Sequence, residues 1–175
     1  MEAYWALPPE DAGDPRRPMG FFIWVKIVIQ KKGWVLRCFV DGGAARNVIR
    51  SDIYEEMERC GLRNDPGIAV PRLMDISGNP VKAGGGAKLK INLLPRKERE
   101  EVVVYKANVA KSHQMVLGVP FLRRHMAQPS YRWMVLYMGN RPSPTRYILG
   151  STQEIVRYMR TYHAEVFRKR FISLE

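Results

Sequence analysis

Asp41 stands where the strand-like run Trp34 to Val40 stops and two glycines begin. A strand that ends in Asp41-Gly42-Gly43-Ala44-Ala45 has to turn tightly, with its backbone close to something else. A carboxylate presented on such a turn can accept a proton from water and return it, as an acid or a base. The bland alternative is a turn aspartate before a glycine pair, common in any β-protein. Other chemistry-bearing residues offer less. His113, His125 and His163 lack zinc-ligand spacing and there is no Cys/His cluster, so neither a metal nor a cofactor is expected. Cys38 and Cys60 form no Cys-x-x-Cys pair; they could bridge in principle, but read as isolated small hydrophobes of a reducing compartment. Ala83-Gly84-Gly85-Gly86-Ala87 lacks the Gly-Lys-Ser/Thr ending and the following helix of a phosphate loop.

The elements that must position Asp41 are mostly strands. Phe21 to Gln30 is rich in β-branched and aromatic residues, Lys31-Lys32-Gly33 reads as a turn with glycine free to take positive φ, and Trp34 to Val40 pairs back as a hairpin. After the loop, Asn47-Val48-Ile49 resumes an apolar pattern. Ser51 or Asp52 is placed to cap a helix from Ile53 to Cys60, with Glu55 set for a capping box on Asp52 and Gly61 as the stop. Val70 to Ile76 and Val81 flank the turn cluster Ser77-Gly78-Asn79-Pro80. Lys88 to Leu93 alternates polar and apolar residues as a half-buried strand does. Val102 to Val109 is another strand, Gln114 to Gly118 a short buried run, and Pro120 opens a brief helix reaching His125. Tyr131 to Met138 is a late strand. Ser151-Thr152-Gln153-Glu154 is a capping box ahead of Ile155, Tyr158, Met159, Tyr162 and Val166 at helical spacing, a C-terminal amphipathic helix.

The 175 residues suffice for one domain with a real core, and 46% hydrophobic against 26% charged residues argues against global disorder. The longest apolar stretch, Gly20 to Gln30, carries Lys26 and is about half of a bilayer span, so no membrane partner is expected. The first 18 residues hold Glu2, Glu10, Asp11, Asp14 and four prolines, unlike a secretory signal. The expectation is a soluble, intracellular protein with a flexible leader at 1–19, a β-domain at 20–140, and a linker and helix at 141–175. Net charge is +12, and Val102 to Gln153 contains no Asp or Glu but seven Lys and Arg. Such a stretch attracts polyanions, which makes nucleic acid a possible partner. A solvated basic face is the alternative.

Three stretches, in order, resemble the retropepsins, and most closely those of gypsy-type long-terminal-repeat retrotransposons. Phe39-Val40-Asp41-Gly42-Gly43-Ala44-Ala45-Arg46-Asn47-Val48-Ile49 looks like the active-site loop of that family. Asp75-Ile76-Ser77-Gly78-Asn79-Pro80-Val81-Lys82-Ala83-Gly84 looks like its flap, and Met115-Val116-Leu117-Gly118-Val119-Pro120-Phe121-Leu122-Arg123-Arg124-His125 like its Leu-Gly-x-Pro segment. The likeness covers about Phe21 to Met138. It implies a mainly β, closed retropepsin-like barrel with short helices, and an aspartic endopeptidase that hydrolyses peptide bonds of a polyprotein, in the cytoplasm or a retroelement particle. Asp41 would be catalytic, Gly43 and Ala44 would line the floor, and Ile76, Ser77, Gly78 and Asn79 would close over the polypeptide substrate. This chemistry needs two carboxylates sharing a proton around one water. The chain has a single Asp-Gly-Gly loop, and Asp75-Ile76-Ser77-Gly78 has the wrong spacing for a second, so two chains would meet at Asp41 as a homodimer. The family carries Ser or Thr after the aspartate, bonding across the dimer, where this chain has Gly42, and Ala45 empties a further polar position. Each such bond is worth ~1 kcal/mol. That departure motivates a second reading, a catalytically inactive pseudo-protease kept as a basic scaffold or binding module in a ribonucleoprotein or retroelement particle.

Overall fold

The computed structural model describes residues 2–5, 21–75, 77–94, 98–109, 114–130 and 135–139. The helix expected after Ser151 and the linker before it lie outside the described residues. The fold is mainly β, with a closed six-stranded barrel and, among the described residues, two short helices.

The hairpin that opens the barrel pairs β2 (Phe21–Ile29) with β3 (Lys32–Val40) in continuous register from Phe21↔Val40 to Ile29↔Lys32. That register leaves only Gln30 and Lys31 in the turn, and Gln30 takes the positive φ of 54°. The expected Lys31-Lys32-Gly33 turn is therefore displaced by one residue, and Gly33 lies inside β3 opposite Val28. Alternation of side chains across the pleat sends Phe21, Ile23, Val25 and Ile27 of β2, and Trp34, Leu36, Cys38 and Val40 of β3, into one core.

The barrel runs β2, β3, β9 (Met115–Leu117), β4 (Val48–Arg50), β8 (Glu100–Ala107) and β7 (Ala83–Leu93), which returns to β2 through Val25↔Leu93 and Ile27↔Ile91. Closure leaves no open edge among these strands. Ala87, Leu89, Ile91, Leu93, Val102, Val104, Met115 and Leu117 complete the interior. The glycine run Gly84-Gly85-Gly86 is part of β7, at a register shift between Gly84 and Ala87, and not a separate loop. A Cβ on Gly86 would sit 2.5 Å from Cγ2 of Ile68, so the small residues there make room for the segment that follows the first helix.

That helix, α1 (Ser51–Arg59), closes one side of the barrel with Ile53, Tyr54 and Met57. The expected cap and capping box are absent. β4 runs into the helix without a loop, Arg50 occupies the cap position, and no side chain caps it. The Arg50 guanidinium donates to both oxygens of Asp52, at 2.7 and 3.0 Å, and holds that carboxyl below its ordinary range. Glu55 turns instead to Lys106, 3.5 Å away. The helix ends at Cys60 and Gly61 as expected. The second helix, α2 (Val119–Arg124), carries Pro120 in its first turn and ends at His125.

Of the late strand expected over Tyr131 to Met138, Val135–Met138 is β11, and residues 131–134 lie outside the described residues; β11 pairs with β10 (Ala127–Ser130). β11 also pairs with β1 (Glu2–Trp5). So part of the segment expected to be an unstructured leader is a strand, held by hydrogen bonds to a sequence-distant partner that local composition does not reveal.

Candidate active site

Asp41 is the first residue past β3, and its backbone N–H donates to the Leu117 carbonyl at 3.0 Å. The reason lies in the strand order. β9 is parallel to β3 through Val40↔Leu117 and antiparallel to β4 through Val48↔Val116. The loop 41–47 must therefore cross over the end of β9 to get from one neighbour to the other. Asp41 is half-buried while Gly42 and Gly43 are exposed.

Five bonds bolt the crossing. The Gly43 N–H donates to Asp41 Oδ1 at 2.8 Å and the Ala44 N–H to the Asp41 carbonyl at 3.2 Å. The Ala44 carbonyl accepts from the Val119 N–H at 2.8 Å. Asn47, 4% exposed, accepts the Gly118 N–H on Oδ1 at 2.9 Å and donates Nδ2 to the Val103 carbonyl at 3.2 Å. Gly118 lies so close beneath the loop that a Cβ there would be 2.5 Å from the Ala44 carbonyl oxygen and 2.6 Å from that of Arg46. Real Cβ atoms do not come that near backbone oxygens, so the Leu-Gly pair is the seat of the aspartate loop. Asn47 and Gly118 are the site residues that sequence reasoning assigned no role. The signals were a lone amide opening the apolar run Asn47-Val48-Ile49 and a glycine after a strand with no hairpin turn to serve.

The floor residues are placed differently from one another. Gly43 is exposed with its N–H spent on the Asp41 carboxylate, whereas Ala44 packs half-buried into a small apolar cluster with Val48, Ala107 and Val116. Leu73 and Val81 join the same cluster. These are the bases of the two-stranded hairpin β5 (Leu73–Met74) and β6 (Pro80–Val81), much shorter than the strand expected from Val70. The hairpin is thus rooted against the aspartate loop through Ala44. Its tip holds Ser77, Gly78 and Asn79, all exposed, while Ile76 lies outside the described residues. Asp75 organises the tip: Oδ1 accepts the N–H groups of Ser77 at 2.9 Å and Asn79 at 2.8 Å, and Oδ2 the Asn79 side-chain amide at 3.3 Å. The Asn79 N–H, seconded by the Asn79 amide and the Ser77 N–H, holds the Asp75 carboxyl below its ordinary range.

His125 is buried, with its ring 4.5 Å from that of Phe121 and Nδ1 3.9 Å from Glu100. Cys38 and Cys60 are free thiols, and full burial pushes the Cys38 thiol upward, away from reactivity. Among the described residues no three His, Cys, Asp or Glu side chains group as metal ligands, and no helix is long and apolar enough to cross a membrane. Of the basic stretch, Lys106 is engaged by Glu58 at 3.2 Å and Glu55 at 3.5 Å, which leaves less free charge there than the sequence count suggests.

No protein-family model and no curated protein matches the chain. Among solved structures it is similar to the retroviral protease-like domain of Ddi1 from Leishmania major, at 21% identity and a TM-score of 0.44 over 68% of this chain and 88% of that one. The EIAV protease complexed with an inhibitor is 14% identical, with a TM-score of 0.44 over 63% and 92%. A retropepsin-like aspartic protease from Rickettsia conorii is 12% identical, with a TM-score of 0.48 over 77% and 96%.

Proposed function

We propose that this chain is an aspartic endopeptidase of the retropepsin type, active as a homodimer in which each copy contributes Asp41. The observation that carries the reading is the seat of the aspartate loop: Asp41 is tied to Leu117, and the loop behind it is fastened through Asn47 and Gly118. A carboxylate on a rigid, half-buried turn is what proton transfer to and from a water needs, since catalysis tolerates little misplacement.

The mechanism follows from charge. Two carboxylates a few ångströms apart around one water cannot both ionise, so one keeps a proton. The ionised one takes a proton from the water as its oxygen attacks the peptide carbonyl; the protonated one gives its proton to the carbonyl oxygen. Collapse of the tetrahedral species returns a proton to the leaving nitrogen. One chain supplies one such loop, which supports a two-fold assembly with the axis at Asp41. Gly43 and Ala44 form the floor in this reading, and the tip at Ile76, Ser77, Gly78 and Asn79 covers the substrate. The three motif stretches favour a lineage among gypsy-type retrotransposons, with a polyprotein substrate and a cytoplasmic or particle location.

The test is cleavage of a peptide library at mildly acidic pH by the chain and by Asp41→Asn. The proposal expects cleavage that a statine-type transition-state mimic blocks and that the substitution abolishes. Equal activity in the variant, or none in either protein at concentrations where the chain is dimeric, would falsify it.

A further inference from the structure

Immediately beyond the aspartate loop lies a pocket of about 150 Å³ with an unusual lining. Its walls are apolar, from Val102, Pro120 and Phe121, and Asn47 stands in one of them. Arg46 and Arg124 line it as well, both exposed, with Glu101 as the opposing charge. Each guanidinium has five N–H donors. Arg46 commits Nη1 to the Ala45 carbonyl at 2.8 Å, and Arg124 commits Nη1 to the Glu101 carbonyl at a long 3.4 Å. Neither arginine has a carboxylate partner among the described residues.

We infer that this pocket receives the carboxylate of an Asp or Glu side chain on the bound polypeptide, at a fixed position to one side of the cleaved bond. The inference rests on the proteolytic reading for its ligand. A guanidinium pair over an apolar floor suits a carboxylate on a short hydrocarbon stem, and charge-assisted bonds of this kind carry more than neutral ones. The reach is adequate. Arg46 is five chain steps from Asp41, so their Cα atoms lie at most about 18 Å apart. An extended peptide over Asp41 advances ~3.3 Å per residue and comes level with the pocket within about six residues. The wall is shared too, because Asn47 both lines the pocket and seats the loop.

The experiment uses the full chain carrying Asp41→Asn, so that nothing is cut. Fluorescein-labelled peptides of about twelve residues, long enough to cross the site, carry one Glu moved along the sequence, each matched by a Gln counterpart, and binding is read by anisotropy at physiological salt. One Glu position should bind ~5–10-fold tighter than its Gln counterpart. Adding Arg46→Gln with Arg124→Gln should erase that preference and leave the Gln peptide unchanged, whereas Glu101→Gln should enlarge it. Arg123→Gln, off the pocket, should do nothing. A preference equal at every position, or one that Arg123→Gln reduces as much as the double substitution, assigns the effect to diffuse charge and overturns the proposal. If no peptide binds, the proteolytic reading is what has failed. Titration with glutarate, followed through the Asn47 side-chain amide resonances, then judges the pocket alone. Saturable shifts lost in the double variant uphold an anion site, and flat resonances refute it.

Discussion

The aspartate loop and the hairpin at 73–81 are both short turns built around one aspartate, but they are held by opposite means. The loop is fastened by its own last residue, Asn47, and by Leu117, Gly118 and Val119, where β9 runs into α2. The tip of the hairpin, beyond its base at Leu73 and Val81, is held by Asp75 within residues 75–79 and stands in solvent, with Met74 69% exposed. A buried bond network costs heavily when one member is removed, because its partners are stranded away from water. An exposed local turn loses little, since water replaces what is taken away. The contrast makes the loop the stiffer of the two and lets the hairpin open at small cost, which is what the proposed function asks of a floor and a cover.

The strongest way to break this contrast is Asn47→Ala. It strips the buried Gly118 N–H and the part-buried Val103 carbonyl of their Asn47 partner, and a loss of about 2–6 kcal/mol is expected in urea denaturation, at ~1–3 kcal/mol for each stranded group. A loss under 1 kcal/mol would mean the brace is dispensable. Gly118→Ala drives a methyl against two backbone oxygens and should cost about 1–3 kcal/mol by the same measurement.

Gly42→Ser sharpens the comparison from the other side. A Cβ at Gly42 meets nothing within 4 Å, so the substitution fits the loop as it stands. In a two-fold assembly the added hydroxyl enters twice, and at ~1 kcal/mol each the dimer should tighten by about 2 kcal/mol, roughly 30-fold in dissociation constant by sedimentation. An unchanged constant would show that this residue does not face its copy. At the hairpin, Asp75→Ala should leave the urea midpoint in place while speeding amide exchange at Ser77 and Asn79. A global loss as large as that of Asn47→Ala would erase the distinction between the two regions.

The smallest effect is one of pH. Because the folded Asp75 carboxyl is held below its ordinary value, the turn is fully supported above the unfolded value and loses that support as pH falls through the folded one. Amide protection at Ser77 and Asn79 should therefore persist at mildly acidic pH and decay only at lower pH. A decay that begins on the neutral side of the ordinary carboxylate range would contradict the assignment.

What the sequence discloses depends on how local the cause is. The β2/β3 hairpin is legible from side-chain periodicity and its register needs only one residue of adjustment, because alternating burial is written into consecutive residues. The end of α1 at Gly61 is equally local. Its start is not: Asp52 looks like a cap until Arg50, delivered by β4 without a loop, captures the carboxylate. Asp41 stands out as a strand-terminal acid before glycines, yet its seat on Leu117 and Gly118 joins positions more than seventy residues apart. Such pairings arise from strand order, as does the pairing of Glu2–Trp5 with Val135–Met138. The pocket beside Arg46 is hidden for the same reason, its walls coming from three distant segments.

The central claim is that two copies of Asp41 act on one water, and subunit mixing addresses it directly. Wild-type chain at fixed concentration is titrated with Asp41→Asn chain and the cleavage rate is followed. With equal amounts of the two, random pairing leaves about half of the wild-type chains in fully wild-type dimers, so the rate should fall to about half and continue downward as the variant increases. A rate indifferent to the inactive partner would place the whole catalytic apparatus in a single chain and contradict the account.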